Sequence, residues 1–338
     1  MSPTLKPLSE QVIVITGASS GIGLVTARMA AEQGARVVLV SRNEDALAEA
    51  TAQITQAGGR AMYVVADVGD RAQVQHIADE TIETFGGFDT WVNDAGLGIV
   101  GRIEDGNEAD FRRLWDTNFW GVVNGSLVAL PHLKAHGGAL INLGSVASDM
   151  AIPMQAMYST TKHAIKGFTD GLRIELQAEN APVSVTLIKP AAINTPFAHH
   201  ARNYGDREPM LPPPVYAPKE VAVGILHAAV HPKRDVYIGG AGRVFSIFNR
   251  TIPALMDSLS KTLIPQSFRD EPPRHPEGAL HQAGIDGVVD SDHPGYVQKT
   301  SFYTRASIHP AFGLMAMAVL SAGVAALIGN GRYAAKRS

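Results

Sequence analysis

Tyr158 and Lys162 stand four residues apart in Tyr158-Ser159-Thr160-Thr161-Lys162, a spacing that puts both side chains on one face of a helix. A free tyrosine titrates near pH ~10, too high for easy proton transfer at neutrality, and a nearby ammonium favours the phenolate. The pair is therefore a candidate acid–base unit. Thirteen residues earlier, Gly144-Ser145 closes an apolar run and offers a hydroxyl. If that run is a strand of an open α/β sheet, Ser145 lies at the carboxyl edge, where such sheets bind ligands. A Tyr and a Lys at this spacing are otherwise just two surface residues of a helix, so their meaning depends on what surrounds them.

The surroundings begin with Thr16-Gly17-Ala18-Ser19-Ser20-Gly21-Ile22-Gly23, which lies between an apolar run and a helical stretch. Glycines allow a tight turn and let backbone N–H groups approach a pyrophosphate at the positive end of a helix. The next apolar run ends at Val40-Ser41-Arg42-Asn43. In a dinucleotide fold that strand tip meets the adenosine ribose, and an acidic residue there would bond the 2′-hydroxyl. Ser41 brings no carboxylate, and Arg42 can pair with a 2′-phosphate. These residues favour NADP(H) over NAD(H), with Glu44 and Asp45 serving the first turn of the following helix.

The elements that would position these groups are legible as a pattern. Short apolar runs at 12–15, 37–40, 62–66, 90–93, 139–143, 183–188 and 235–238 read as strands buried on both faces. Helical stretches at 21–33, 44–57, 72–85, 111–133, 157–178 and 219–230 separate them. The alternation predicts an α/β fold: a Rossmann-like, doubly wound, seven-stranded parallel sheet over residues 1–240, with right-handed crossovers. A helical and irregular C-terminal extension follows.

Composition narrows the alternatives. The 338 residues are 45% hydrophobic and 18% charged, with a net charge of -3 and no cysteine. A long disordered chain is excluded, nucleic acid is a poor partner without a basic excess, and there is no disulfide or thiolate chemistry. Residues 241–265 read as an amphipathic helix that Pro253 would kink. Residues 266–310 are rich in Pro, Gly, His and Asp and read as a linker or extended surface segment. Residues 311–331 are apolar, and 18 such residues span about 27 Å as a helix, near the thickness of bilayer hydrocarbon. They are a candidate membrane anchor, or else a tail docked on its own domain or a dimer partner. With no secretory leader at Met1–Glu10, the expected location is cytoplasmic, with membrane contact through residues 311–331.

Taken together, these residues resemble the classical branch of the short-chain dehydrogenase/reductase family. The matches are the glycine turn at Thr16–Gly23, Asp67-Val68 after the third strand, and Asn93-Asp94-Ala95-Gly96. Asn118, Ser145, Tyr158-x-x-x-Lys162 and Pro190–Thr195 complete the set. They arrive in family order and cover about residues 8–240. The resemblance implies a hydride transfer between NADP(H) and a carbonyl or alcohol. Tyr158 would be the general acid/base, and Ser145 would polarise the substrate carbonyl. Lys162 would bind the nicotinamide ribose and depress the tyrosine pKa, and Asn118 would position a water. For the coenzyme it implies Gly17, Ser19, Ser20, Gly21, Ile22 and Gly23 at the pyrophosphate and Ser41 and Arg42 at the ribose. Asp67 and Val68 would line the adenine pocket, and Asn93, Ala95 and Gly96 would support the coenzyme strand. Pro190, Ile193 and Thr195 would lie beside the carboxamide. It also implies a homodimer or homotetramer.

Two positions depart from the family pattern, Asp94 for the usual Asn and Ala191 for the usual Gly. A carboxylate cannot donate the hydrogen bonds of an amide. His199-His200 sits in the variable substrate loop, where a metal site is not expected. The loop Phe197–Tyr216, with Met210, Leu211 and three prolines, reads as a lid and hints at a hydrophobic substrate. Epimerase or dehydratase chemistry fits the glycine spacing poorly. A non-catalytic coenzyme sensor on the same fold is the remaining alternative.

Overall fold

Alternate residues of each central strand face opposite layers, and this periodicity builds the core. The computed structural model describes residues 3–284 and 286–308, so residues 311–331 lie outside it. Its main sheet comprises β1 (Val12–Thr16), β2 (Arg36–Ser41), β3 (Arg60–Val65), β4 (Thr90–Asn93), β5 (Gly138–Leu143), β6 (Val183–Pro190) and β7 (Asp235–Ile238). All seven are parallel, in the order β7-β6-β5-β4-β1-β2-β3. The order reverses beside β1, so the crevice at its carboxyl end lies where such sheets bind ligands. In β1, Ile13 and Ile15 face one layer with Leu24, Ala27 and Ile225. Val12 and Val14 face the other with Val74, Ile77, Leu133 and Leu172.

The helices of those layers are α1 (Gly21–Glu32), α2 (Glu44–Gln56), α3 (Arg71–Phe85), α4 (Glu108–Trp115), α5 (Gly121–His136), α6 (Ala156–Ala178) and α7 (Pro218–Val230). Side chains fix where several begin. Asn43 accepts from the Ala46 amide to cap α2, and Asp70 accepts from Ala72 and Gln73 to cap α3. The stretch expected as one helix over 111–133 is interrupted by a π turn at Asp116–Trp120. Such turns widen a helix by one residue and cluster at functional sites. Thr117 and Asn118 lie within it, both buried.

The described part of the extension, up to residue 308, packs on the domain. The amphipathic stretch is two helices, α8 (Gly240–Thr251) and α9 (Pro253–Leu263), broken where Pro253 opens the second. Its stripe of Phe248, Ile252, Leu255 and Leu259 is exposed. The following irregular segment runs back over the catalytic domain, so it is a fastened surface segment and not a free linker. Val297 pairs with Val215, itself paired with Ala192. A last helix, α10 (Phe302–Ile308), is held by fully buried Glu220, which accepts from Arg305 at 2.6 Å and from the Ser301 amide at 2.8 Å. No helix among the described residues is long and apolar enough to cross a membrane.

Asn93, at the end of β4, shows how polar groups are tolerated in this core. Its amide donates to Asn142 at 2.9 Å and Ser126 at 3.3 Å, and its carbonyl accepts from the Trp91 indole at 2.9 Å. Replacing it would leave buried groups unpaired. Asn93→Leu should therefore lower unfolding free energy by about 3 kcal/mol in urea titration; a loss below about 0.5 kcal/mol would contradict that account.

Candidate active site

The glycine turn joins β1 to α1 and is pressed against the loop that follows β4. Thr16 Oγ1 accepts from the Asp94 and Ala95 amides at 3.1 and 3.2 Å. Gly17 has φ +72°, and a Cβ there would lie 2.8 Å from the Ala95 backbone. A Cβ at Gly23 would collide with the Gly17 carbonyl. Side chains at these two positions are thus excluded by backbone, which leaves a cradle of main-chain groups at the start of α1, where the Gly21 amide itself donates to the Val288 carbonyl. That is the form a pyrophosphate site takes. Ser20 caps α1 without a side-chain hydrogen bond and lines the cavity at this point.

The groove that starts at this cradle is lined by Gly17, Ser19–Ile22, Ser41–Asn43, Ala66–Val68 and Asp94–Leu97, with Thr195 at its far side. Most of the residues expected to hold a coenzyme therefore line one cavity. Gly23, Asn93, Pro190 and Ile193 sit behind that lining as packed supports. Asp67 accepts from Arg113 at 2.5 Å and from the Gly69 amide at 2.9 Å.

The proposed catalytic residues meet beyond the Asp94–Leu97 end of the groove. A Cβ on Gly96 would lie 3.6 Å from both Asn118 Oδ1 and Lys162 Nζ. Lys162 donates to the Leu143 carbonyl at 2.9 Å, and its Nζ lies 5.7 Å from the centre of the Tyr158 ring. The Ser145 hydroxyl acts on Tyr158 in the sense that favours its ionised form, and it accepts from the Ala147 amide. Asn118 spends its amide on Leu97, at 2.8 and 2.9 Å, and on Thr161 at 3.2 Å. Its side chain thus ties the loop after β4 to α6. The Phe197 ring, 5.3 Å from that of Tyr158, closes the apolar side.

Burial sets the protonation of this cluster. It pushes the Tyr158 phenol up to about 12, with the Ser145 hydrogen bond opposing and the Asp94 charge adding. The influences on Tyr158 here are burial, Ser145 and Asp94, and Lys162 is not among them. Burial likewise brings Lys162 down to about 8, against the pull of Asp94. Asp94 itself rises to about 7, chiefly through burial, with Lys162 and a hydrogen bond from the Gly23 amide acting the other way. The departure from Asn thus introduces a second titratable group beside the lysine.

Several lining residues carried no usable signal in the sequence. Phe197 and His200 lie in the variable loop, and Ala279, Ala283, Gly284 and Asp286 come from the irregular extension. His199 Nε2 lies 3.2 Å from Asp292 and 3.7 Å from Glu208, while His200 Nε2 is 3.9 Å from Asp286. The two neighbouring histidines thus face different partners.

Comparison with known proteins agrees with this geometry. The family pattern described as short chain dehydrogenase matches residues 11–204. An uncharacterized oxidoreductase, YxnA of Bacillus subtilis, is 45% identical over 327 residues, covering 95% of this chain and 92% of its own. The 11-beta-hydroxysteroid dehydrogenase of Pinus massoniana is 30% identical over 76% of this chain and 75% of its own. The 3-ketodihydrosphingosine reductase of Bacteroides thetaiotaomicron is 35% identical over 56% of this chain and 66% of its own. Among solved structures, a Burkholderia phymatum short-chain dehydrogenase/reductase in complex with NAD superposes with TM-score 0.68 at 25% identity. It covers 74% of this chain and 96% of its own. L-Sorbose reductase of Gluconobacter frateurii, complexed with NADPH and L-sorbose, gives 0.61 at 25% identity, over 71% and 98%. The chain belongs to the short-chain dehydrogenase/reductase family of NAD(P)-dependent oxidoreductases acting on CH–OH and C=O groups.

Proposed function

We propose that this enzyme reduces a hydrophobic ketone or aldehyde with NADP(H), using Tyr158 as the general acid. The observation that carries the proposal is the buried Tyr158 ring set between Lys162 and Phe197, at the end of a groove whose backbone cradle excludes side chains. When bound, the nicotinamide supplies or accepts the hydride at the carbon of the substrate. The Ser145 hydroxyl donates to the carbonyl oxygen and orients it. The Tyr158 phenol, protonated throughout the neutral range because burial raises it to about 12, gives its proton to that oxygen. Lys162 stays within the cluster as a hydrogen-bond donor, and Thr195 and the Gly17–Ile22 loop hold the coenzyme. Phe197 against the tyrosine ring supports an apolar substrate, as do the ketosphingoid and hydroxysteroid in the names of two relatives.

NADP(H) is favoured by Arg42 and by the absence of a carboxylate at Ser41. A second reading, NAD(H), has one observation behind it: Asp286 lines the same end of the groove and accepts from Asn43 at 3.0 Å. A carboxylate there suits a free 2′-hydroxyl and repels a 2′-phosphate. The same proposal takes the enzyme as a cytoplasmic homodimer or homotetramer, supported by family resemblance, with membrane contact through the apolar residues 311–331.

Three outcomes test the reading. Tyr158→Phe should cut turnover by about 10²–10⁴-fold while coenzyme affinity by fluorescence titration stays within a few-fold; unchanged turnover would defeat the mechanism. Arg42→Ala should raise the Kd of NADPH by about 10–100-fold and that of NADH by a clearly smaller factor, the part that comes from loosening residues 279–282 alone. Equal effects on both coenzymes, with Asp286→Ala improving NADPH binding, would favour the NAD(H) reading. The third outcome concerns Asp94. Between its ordinary 3.8 and its folded value of about 7, the folded chain keeps a proton there that the unfolded chain has lost. This contribution to stability is complete below pH about 4 and disappears as pH rises to about 7. Thermal midpoints of Asp94→Asn, measured relative to the native chain, should therefore climb across that range. A difference that is flat with pH would contradict the assignment.

A further inference from the structure

The extension crosses the groove in a way that the family's sheet does not require. The Gly287 amide donates to the Ser19 carbonyl at 2.8 Å, and the Gly21 amide donates to the Val288 carbonyl at 2.9 Å. This reciprocal pair fastens the extension to the glycine turn itself. Toward the adenosine end, Arg42 donates to the carbonyls of Leu280 and Gln282, both at 3.2 Å, and to that of Ala279. Arg113 bridges the two layers, donating from Nε to the Leu280 carbonyl at 3.0 Å and from Nη2 to Asp67 at 2.5 Å. Ala279, Ala283, Gly284 and Asp286 thus form one wall of a cavity whose other walls are Gly17, Ser41 and Asp67. The cavity persists beside the segment, which walls the groove without filling it.

Small residues let the backbone lie this close. A Cβ at Gly278, where φ is +58°, would strike the His200 and Ala201 backbone, and one at Gly284 would lie 2.8 Å from the His200 ring. The segment is also anchored outside the groove. The Ala279 amide donates to the His200 carbonyl at 2.8 Å, and His281 Nε2 lies 2.7 Å from Asp110. Asn194 donates to Asp290 at 3.2 Å and accepts from Ser291 at 2.6 Å.

We propose that residues 279–284 and 286–288 are part of the coenzyme site, a strap that lies over the adenosine half of the bound coenzyme and must lift before it can leave. The proposal rests on the reading of the groove as a coenzyme site and holds for either coenzyme. A dinucleotide beneath the strap is enclosed on both sides. Its departure requires the Ser19–Gly287 and Gly21–Val288 bonds and the carbonyl grip on Arg42 to break together. Arg42 has five N–H donors and commits three to the strap; Nε and one Nη1 hydrogen have no partner among the described residues. The guanidinium can therefore hold strap and coenzyme at once, which couples closure to occupancy. Slow release follows, so coenzyme exchange limits turnover.

The test uses the full chain and the double variant His281→Ala, Asp290→Ala, which removes two anchors that do not line the groove. NADPH, or NADH if that is the tighter binder, is bound first and displaced with excess oxidised coenzyme in a stopped-flow fluorescence experiment. Release from the variant should be at least about tenfold faster, and release within twofold of the native rate would overturn the strap. Hydrogen–deuterium exchange on the unaltered chain gives a second reading that does not depend on the variant folding. Peptides covering residues 279–291 should gain protection when coenzyme saturates the protein, and unchanged or faster exchange there would also overturn it. If neither coenzyme binds the unaltered chain, the coenzyme reading and the strap fall together. If coenzyme binds but release and exchange are unmoved, only the strap falls.

Discussion

Exclusion of water from one small volume governs the chemistry of this enzyme. Tyr158, Lys162 and Asp94 share that volume, and burial is the largest influence on the titration of each. It drives the phenol up, the ammonium down and the carboxyl up, always toward the uncharged form. A neutral phenol is a proton donor, which is the form the proposed reduction needs. The attraction between Asp94 and Lys162 limits how far either shifts, and the pair then titrates near neutrality while the tyrosine does not. With Asn at position 94 the lysine would lack this counter-charge and the tyrosine would lose a charge that raises it, so the departure from the family pattern falls on both groups.

That volume exists because backbone packs against backbone. Gly17 lies against Ala95, and Gly23 lies against the Gly17 carbonyl. Thr16 ties the two loops together through the Asp94 and Ala95 amides. Asn118, in the π turn, then fastens Leu97 to Thr161 on the helix that carries Tyr158 and Lys162. The extra residue of the turn carries the Asn118 amide inward, where an uninterrupted helix would present a different face. The catalytic face of α6 and the coenzyme groove are thus one connected arrangement, with each loop held by hydrogen bonds to the next.

The sheet was legible in the sequence because parallel strands covered on both faces read as unbroken apolar runs, as in Val12–Ile15 and Val37–Val40. The glycine turn and the Tyr158–Lys162 spacing were legible because their conformational and geometric demands are local. Protonation of Tyr158 was not, since the phenol's environment is assembled from Phe197, Ser145 and Asp94, which are distant in the chain. The path of residues 279–291 was also invisible. That segment has no periodicity, and its hold on Arg42 runs through backbone carbonyls that any residue possesses. Of the two readings of residues 266–310, linker or extended surface segment, neither anticipated that Ala279, Ala283, Gly284 and Asp286 line the groove. The membrane expectation falls on residues 311–331, outside the described part of the chain.

The central claim is that a buried, protonated Tyr158 at the end of a dinucleotide groove makes this chain a carbonyl reductase. The most direct test follows NADPH and NADH oxidation by the full-length protein across a panel of aliphatic, aromatic and steroid-like ketones and aldehydes, with the alcohol product quantified. The account predicts coenzyme oxidation matched mole for mole by alcohol, fastest with the apolar carbonyls. A protein that binds coenzyme tightly yet reduces no member of the panel would contradict it and favour a coenzyme-sensing role.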